Sequence, residues 1–219
     1  MIKAAMFDMD GLLLDSERIY MDAFEAVGRA ADLPIMHRLP DIFRMMVGKR
    51  DADSGAILER EIGPYIARDR FDALWHAEIT GRMAGDIPVK KGAIKLLTAL
   101  KDADIPAGVV TSTLSAKAHS HLERAGLRHL VDHIIGGDQV RDGKPSPEGY
   151  LAMAAHLGAS PDSCAAFEDS DTGTRAAVAS GARVVQVPDI MAPHADVLAL
   201  GHHVAPDLIT GARHLGLPV

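Results

Sequence analysis

The sequence predicts an α/β protein with a doubly wound, Rossmann-like parallel sheet and an inserted helical domain. The first observation is that short apolar runs alternate with helix-like segments from residue 86 onward, which is typical of parallel strands joined by helices. The second is that no strand pattern occurs between residues 16 and 85. We therefore expect an α/β core domain of residues 1–15 and 86–219, interrupted by an α-helical cap domain of residues 16–85.

The N-terminal part of the chain is expected to form one strand and then helices. The apolar run Ile2 to Phe7 is typical of a buried strand. Hinges are expected at the two connections to the cap, Leu13–Ser16 and Gly81–Asp86. Apolar residues at helical spacing predict helices over residues 16–31, 39–47, 54–62 and around 71–79, with a loop over Gly48–Asp51.

Beyond the cap, helices and strands are expected to alternate. Strands are predicted over residues 105–111, 133–136, 163–168, 182–187 and 203–204. Helices are predicted over residues 92–100, 115–125, 146–158, 171–179 and from about residue 207. In the first of these helices, Ile94, Leu97 and Leu100 are expected to face the core. Ligands of such a sheet bind at the carboxyl ends of its strands, near the point where the strand order reverses.

The overall composition argues against several classes of protein. The 219 residues include 23 basic and 30 acidic side chains, a net charge of −7, with no basic block, so no nucleic-acid partner is expected. No apolar run approaches the ~18 residues of a membrane span, and the N-terminus does not resemble a signal peptide. The single cysteine, Cys164, is expected to be a buried core thiol. We expect a cytoplasmic protein, a monomer or small homo-oligomer, with no membrane partner.

Two carboxylates stand where the first predicted strand ends. Asp8 and Asp10 are one residue apart and precede Gly11, which lets the backbone turn sharply. In an extended chain both side chains point to the same side, and two like charges repel strongly unless a cation lies between them. The residues alone leave two interpretations open, a divalent-cation site and an ordinary surface turn.

Three later stretches carry further polar groups. Thr111 and Ser112 end one predicted strand, Glu168 and Asp169 end another, and Lys144 lies between them in the sequence. Because the carboxyl ends of parallel strands share one edge of the sheet, we expect these groups to converge with the two N-terminal aspartates.

Four stretches, in this order and spacing, resemble the haloacid dehalogenase (HAD) superfamily, in particular its β-phosphoglucomutase and phosphatase branch with a small helical cap. They are Phe7–Glu17, Gly108–Thr113, Gly143–Leu151 and Phe167–Gly181. The resemblance implies the HAD fold and an aspartyl-phosphate intermediate formed on Asp8, the nucleophile. Asp10 resembles the general acid/base, whose presence argues against dehalogenation. Asp8 and the backbone carbonyl of Asp10 would also bind a metal ion.

The resemblance implies roles for the later polar groups as well. Thr111, Ser112 and Lys144 would bind the phosphoryl group, and Thr111 and Lys144 count among the catalytic residues. Glu168 and Asp169 resemble the metal-binding acids. Hard oxygen ligands with room for water and phosphate suit Mg²⁺, which would stabilise negative charge on the phosphoryl oxygens.

The cap would select the substrate. The resemblance places substrate contacts at Ser16, Tyr20, Gly48, Lys49 and Arg50. The mutase relatives have a histidine at the position of Tyr20, and their cap loop has an arginine three residues past a glycine, whereas Arg50 lies two past Gly48. These departures favour an Mg²⁺-dependent phosphatase that acts on a small phosphate ester such as a sugar phosphate. The alternatives are a β-phosphoglucomutase-like phosphosugar mutase and a non-catalytic phosphate-ester binding protein.

Overall fold

The computed structural model describes residues 1–47 and 51–219 of the chain. Six strands form its central sheet: β1 (Ala4–Phe7), β2 (Ala107–Val110), β3 (His133–Ile135), β4 (Cys164–Glu168), β5 (Arg183–Gln186) and β6 (His203–Val204). All neighbouring strands are parallel, and their order is β3-β2-β1-β4-β5-β6. Each strand lies within its predicted range, and the predicted doubly wound α/β fold is confirmed.

The strand order reverses at β1. The chain passes from β1 to β2 and β3 on one side of the sheet, and then returns to β4, β5 and β6 on the other. Phe7, the last residue of β1, is in register with Val109 of β2 and Phe167 of β4. The residues that follow these strands therefore reach the same edge of the sheet at the same level, where α/β proteins bind ligands.

Ten α-helices lie in the described ranges. They are α1 (Ser16–Ala30), α2 (Leu39–Met46), α3 (Asp51–Glu61), α4 (Arg68–Arg82), α5 (Ala93–Asp102), α6 (Ser115–Arg124), α7 (Glu148–His156), α8 (Asp171–Ala179), α9 (Ala195–Leu198) and α10 (Leu208–His214). Nine correspond to predicted helices, and the four-residue α9 was not predicted. Helix α3 begins at Asp51, where the sequence predicted a loop. Helix α7 begins at Glu148, two residues after the predicted start, and Pro147 is its N-cap residue.

Both faces of the sheet are covered. In β1, Ala5 and Phe7 belong to one apolar cluster and Ala4 and Met6 to another, because successive side chains of a strand point to opposite faces. Cys164 is buried in the second cluster, as predicted. None of the helices in the described ranges combines the length and the apolar content that crossing a bilayer requires.

One predicted core residue is exposed. Ile94 of α5 has 54% of its surface accessible, whereas Leu97 and Leu100 are fully buried. The buried stripe of α5 consists of Ala93, Leu96, Leu97 and Leu100, which follows the i, i+3, i+4, i+7 spacing of one helical face. Ile94 lies about 100° away from that stripe, one residue past its start, so the expectation for Ile94 was wrong.

The helices from α1 to α4 form an apolar cluster of their own. Its centre is aromatic: the Phe24 ring lies 5.0 Å from that of Phe71 and 5.2 Å from that of Trp75. Within 16–47 and 51–85 the structure contains no strand. Two chain segments connect this part to the sheet and run side by side, since the Asp15 amide donates to the Pro88 carbonyl at 2.9 Å.

Candidate active site

Four sequence-predicted residues meet at the carboxyl edge of the sheet. Asp8 follows β1, Thr111 follows β2, Glu168 ends β4 and Asp169 follows it, and all four are buried. Oxygen atoms of the Asp8, Glu168 and Asp169 carboxylates lie within 4.8 Å of one another. The strand order therefore gathers acids that are 160 positions apart in the chain.

Lys144 binds two of these acids from the loop that precedes α7. Its Nζ donates to Asp8, to Oε1 of Glu168 at 2.6 Å and to the Val110 carbonyl at 2.9 Å. An ammonium group has three N–H donors, so all of them are used. Burial lowers the pKa of Lys144, but Asp8 and Glu168 outweigh burial and raise it. Lys144 is therefore a fixed positive charge in the site.

One lysine does not neutralise this cluster of acids. The pKa of Asp8 is raised to about 7, chiefly by burial; Lys144 acts in the opposite direction, and the neighbouring Glu168 adds to the increase. The pKa of Asp169 is also raised well above its usual range, by burial first and then by Asp8 and Glu168. A divalent cation would relieve the repulsion, and carboxylate oxygens are the ligands that hard cations prefer. The donor set therefore fits a metal ion.

Two glycines make room for the acids. A Cβ atom at Gly11 would overlap the Asp169 carboxylate, and Gly11 has a φ of +81° that favours glycine. A Cβ atom at Gly173, in the first turn of α8, would overlap the carboxyl group of Glu168. Ser170 caps the same helix, and its hydroxyl accepts from the Gly173 amide at 3.1 Å.

Asp10 lies apart from the three clustered acids and accepts three hydrogen bonds. Its Oδ1 accepts from Ser16 Oγ at 2.6 Å and from the Tyr20 hydroxyl at 3.3 Å, and its Oδ2 accepts from Thr113 Oγ1 at 2.8 Å. Ser16 and Tyr20 belong to α1, whereas Thr113 belongs to the turn after β2. The Asp10 carboxylate is therefore held between the helical segment and the sheet.

Two backbone amides hold the hydroxyl stretch after β2 in place. The Thr111 amide donates to the Ile135 carbonyl at 3.0 Å, and Thr111 Oγ1 accepts from the Thr113 amide at 3.1 Å. Thr111 is buried, while its neighbour Ser112 is exposed. Both line a small cavity together with Lys144.

Three residues of the site were not assigned roles from the sequence. Thr113 binds Asp10, and Tyr150 of α7 donates its hydroxyl to Glu168 Oε1 at 2.5 Å. Glu17 faces the acids, and burial, followed by Asp10 and Asp8, raises its pKa to about 8. All three stand in stretches that resemble the HAD superfamily, but Tyr150 has the local pattern of any aromatic residue in a helix, so nothing in the sequence marks its hydroxyl group.

The structure describes two of the five predicted cap contacts. Ser16 and Tyr20 lie beside Asp10, as described above. Gly48, Lys49 and Arg50 lie outside the described residues.

The chain matches known proteins over most of its length. A model of haloacid dehalogenase-like hydrolases matches residues 2–181. The phosphorylated carbohydrates phosphatase of Thermotoga maritima is 30% identical over 180 residues, covering 82% of each chain. A candidate β-phosphoglucomutase of Thermotoga maritima has a similar structure, with a TM-score of 0.79, 26% identity and coverage of 99% of this chain and 100% of that one.

A second solved structure carries a bound anion. The HAD family hydrolase of Deinococcus radiodurans R1, solved with phosphate and sodium, has a TM-score of 0.77 and 28% identity over 93% of this chain and 90% of its own. The family model covers well over half of the sequence, and the relatives share its fold. This chain therefore belongs to the haloacid dehalogenase-like hydrolase family, as the sequence motifs predicted.

Proposed function

We propose that this protein is an Mg²⁺-dependent phosphomonoester phosphatase that acts on a small phosphorylated metabolite. The observation that carries the proposal is the buried group of Asp8, Glu168 and Asp169 with Lys144 bound to it. A nucleophilic carboxylate, a fixed cation and further acids at one point provide the parts that phosphoryl transfer needs. Similarity to a phosphatase of phosphorylated carbohydrates supports a sugar phosphate as the substrate.

Asp8 is the proposed nucleophile. A carboxylate oxygen of Asp8 forms a bond to phosphorus while the bond from phosphorus to the leaving oxygen breaks. Asp10 gives a proton to that oxygen, which leaves as an alcohol. In the second step Asp10 takes a proton from water, the water oxygen bonds to phosphorus, and the aspartyl-phosphate splits into inorganic phosphate and free Asp8.

The phosphoryl oxygens are bound by groups from two loops. Thr111 offers a hydroxyl group, Ser112 offers a hydroxyl and a backbone amide, and Lys144 offers a positive charge beside Asp8. Because these donors are already in place before the reaction, they stabilise developing negative charge without reorganisation.

Asp8, Glu168, Asp169 and the backbone carbonyl of Asp10 would hold Mg²⁺. The bound ion supplies charge neutralisation at the phosphoryl oxygens. The protein's own contribution is to bury the acids, to leave space for their carboxylates at Gly11, and to exclude bulk water.

The helical segment, residues 16–85, is the proposed cap over a core of residues 1–15 and 86–219. Its helix α1 brings Ser16 and Tyr20 to Asp10, which supports a role for both near the leaving group. Gly48, Lys49 and Arg50 are proposed substrate contacts on the strength of the sequence resemblance. We also propose a cytoplasmic protein that is a monomer or a small homo-oligomer.

Phosphosugar mutase activity is the second candidate, because a candidate β-phosphoglucomutase has a similar structure. In a mutase the aspartyl-phosphate passes to a second sugar hydroxyl instead of to water. Tyr20, in place of the histidine of the mutase relatives, favours the phosphatase.

The experiment is phosphate release from a panel of phosphomonoesters. We expect release that depends on Mg²⁺, stops with a chelator and returns when Mg²⁺ is added back. Isomer formation that requires added sugar bisphosphate would instead identify a mutase. Binding of esters with neither reaction would identify a non-catalytic binding protein and contradict the proposal.

A further inference from the structure

We propose that Tyr150 is a positioning residue of this site and that it acts on the reaction through Glu168. This inference rests on the proposed function above. Tyr150 lies in α7 and is fully buried. A phenylalanine would fill the same space, so packing alone does not account for the hydroxyl group. A buried hydroxyl requires a hydrogen-bond partner, and the partner here is a carboxylate of the candidate metal group.

The tyrosine and the lysine meet at a single oxygen. The Tyr150 hydroxyl donates to Glu168 Oε1 at 2.5 Å, and Lys144 Nζ donates to the same atom at 2.6 Å. Hydrogen bonds to a charged acceptor are stronger than those between neutral groups. The two donors on Oε1 therefore fix the orientation of the carboxylate plane, and the hydrogen bonds of Oε1 are made to protein groups.

The tyrosine ring also supports the lysine directly. Lys144 Nζ lies 5.5 Å from the centroid of the Tyr150 ring, within the range of a cation–π contact. Tyr150 thus contacts both members of the Lys144–Glu168 pair, the lysine through its ring and the glutamate through its hydroxyl. The remaining Lys144 partners are Asp8 and the Val110 carbonyl.

The opposite side of Glu168 is closed by the backbone at Gly173, where a Cβ atom would overlap the carboxyl group. The carboxylate is therefore confined between α8 and α7. The other oxygen, Oε2, has one weak contact, from Ser170 Oγ at 3.4 Å. With Oε1 occupied by two donors, Oε2 is the oxygen of Glu168 left to bind a metal ion.

The geometry thus assigns different roles to the two carboxylate oxygens of Glu168. Oε1 anchors Lys144 beside the nucleophile, and Oε2 is presented to a metal ion. Without the tyrosine hydroxyl, the carboxylate can rotate about its terminal bond, and both functions become less well defined. Ligands that are held by outer hydrogen bonds bind metals more tightly than free ones.

The test is a double-mutant cycle on metal binding. The Kd for Mg²⁺ is measured by titration calorimetry for the wild type, Tyr150→Phe, Glu168→Gln and the double variant. We expect Tyr150→Phe to raise the Kd about tenfold in the wild-type background and less than twofold in the Glu168→Gln background, because a residue that acts through another shows non-additive effects. Equal effects in the two backgrounds would overturn the proposal.

Activity provides a second measurement with a matched control. Tyr150→Phe should lower kcat for a phosphate ester about tenfold at saturating Mg²⁺ while leaving KM within about twofold, because the hydroxyl orients reacting groups without touching the ester. Tyr65→Phe removes the same hydroxyl from an exposed tyrosine and should change neither value. A Tyr150→Phe enzyme with wild-type kcat would contradict the assignment.

A third measurement leaves Tyr150 in place and serves if Tyr150→Phe does not fold. The chain has three tyrosines, so fluorotyrosine labelling gives three fluorine NMR signals, which Tyr20→Phe and Tyr65→Phe assign. The Tyr150 signal should move with added Mg²⁺ at the calorimetric Kd, and a signal that stays fixed would overturn the proposal.

A wild type that binds Mg²⁺ but hydrolyses no ester would refute the proposed function alone, since the binding cycle would still decide the role of Tyr150.

Discussion

Thr113 Oγ1 donates a 2.8 Å hydrogen bond to Oδ2 of Asp10, although the two residues are 103 positions apart in the chain. Thr113 lies in the turn after β2, and Asp10 lies in the turn after β1. Because β1 and β2 are parallel neighbours, the two turns meet at the same edge of the sheet. The hydrogen bond ties the proposed acid/base to the core, while Ser16 and Tyr20 tie it to α1.

Replacing Thr113 with valine tests this tie. The variant keeps the shape of the side chain and removes one hydrogen bond to a carboxylate, an interaction worth about 1.5–3 kcal/mol. We expect kcat to fall about tenfold or more, measured as phosphate release at saturating ester. Thr98→Val, at an exposed position of α5, is the control and should be neutral. Unchanged kcat in Thr113→Val would contradict a role for this bond.

Gly173→Ala should damage the site although alanine favours helices. In most helix positions this change stabilises by about 1 kcal/mol, but here the new Cβ atom would overlap the Glu168 carboxyl group. We expect weaker Mg²⁺ binding by calorimetry and lower activity. Gly81→Ala, in α4 with open space around it, should be neutral or stabilising. A Gly173→Ala protein with full metal affinity would show that Glu168 has more freedom than the packing suggests.

The metal-free protein should lose stability as the pH rises. Burial, together with the negative charge of Glu168, raises the pKa of Asp8 from 3.8 to about 7. Between these values the folded state keeps a proton that the unfolded chain has released, so the free energy of unfolding decreases across this interval and levels off above it. Urea denaturation in chelator from pH 4 to 8 measures the trend. In the Asp8→Asn variant the free energy of unfolding should decrease less over this pH range. A wild-type free energy of unfolding that rises with pH would contradict the prediction.

Lys144→Met should remove both activity and stability. The substitution leaves the buried acids Asp8 and Glu168 without their cation, and breaking a buried ion pair in this way costs about 3 kcal/mol or more. Denaturant titration measures the loss, and phosphate release should fall to background. Lys95→Met removes an exposed lysine of α5 and should change stability by less than about 0.5 kcal/mol. Similar stability of the two variants would mean that Lys144 is not a structural counterion of the site.

Local sequence patterns were sufficient to predict the fold. The run before Asp8 alternates between two buried faces, and the residues before Glu168 do the same, so short apolar runs were correctly interpreted as strands. The acidic and hydroxyl residues after these runs were expected to converge, and the structure brings Asp8, Thr111, Glu168 and Asp169 together. Local patterns work here because the edge of a parallel sheet is defined by where strands end.

The contacts between side chains of different elements could not be predicted in this way. In the sequence, Tyr150 is one aromatic residue of a predicted helix, and only the packing of α7 against the sheet brings its hydroxyl to Glu168. The prediction that Ile94 faces the core was wrong for a related reason, since packing decides which apolar residues of α5 are buried. Such choices are made by tertiary packing, and the sequence pattern allows more than one of them.

The central claim is that Asp8 becomes phosphorylated during turnover. The direct measurement is peptide mass spectrometry on enzyme that has been mixed with substrate, quenched in acid and reduced with borohydride, which converts an aspartyl-phosphate to homoserine. We predict homoserine at position 8 in the wild type and in the control Asp102→Asn, whose substitution is on the surface, and none in Asp8→Asn, whose turnover should fall at least about 10³-fold. Modification of a different residue, or an Asp8→Asn enzyme with full activity, would contradict the account.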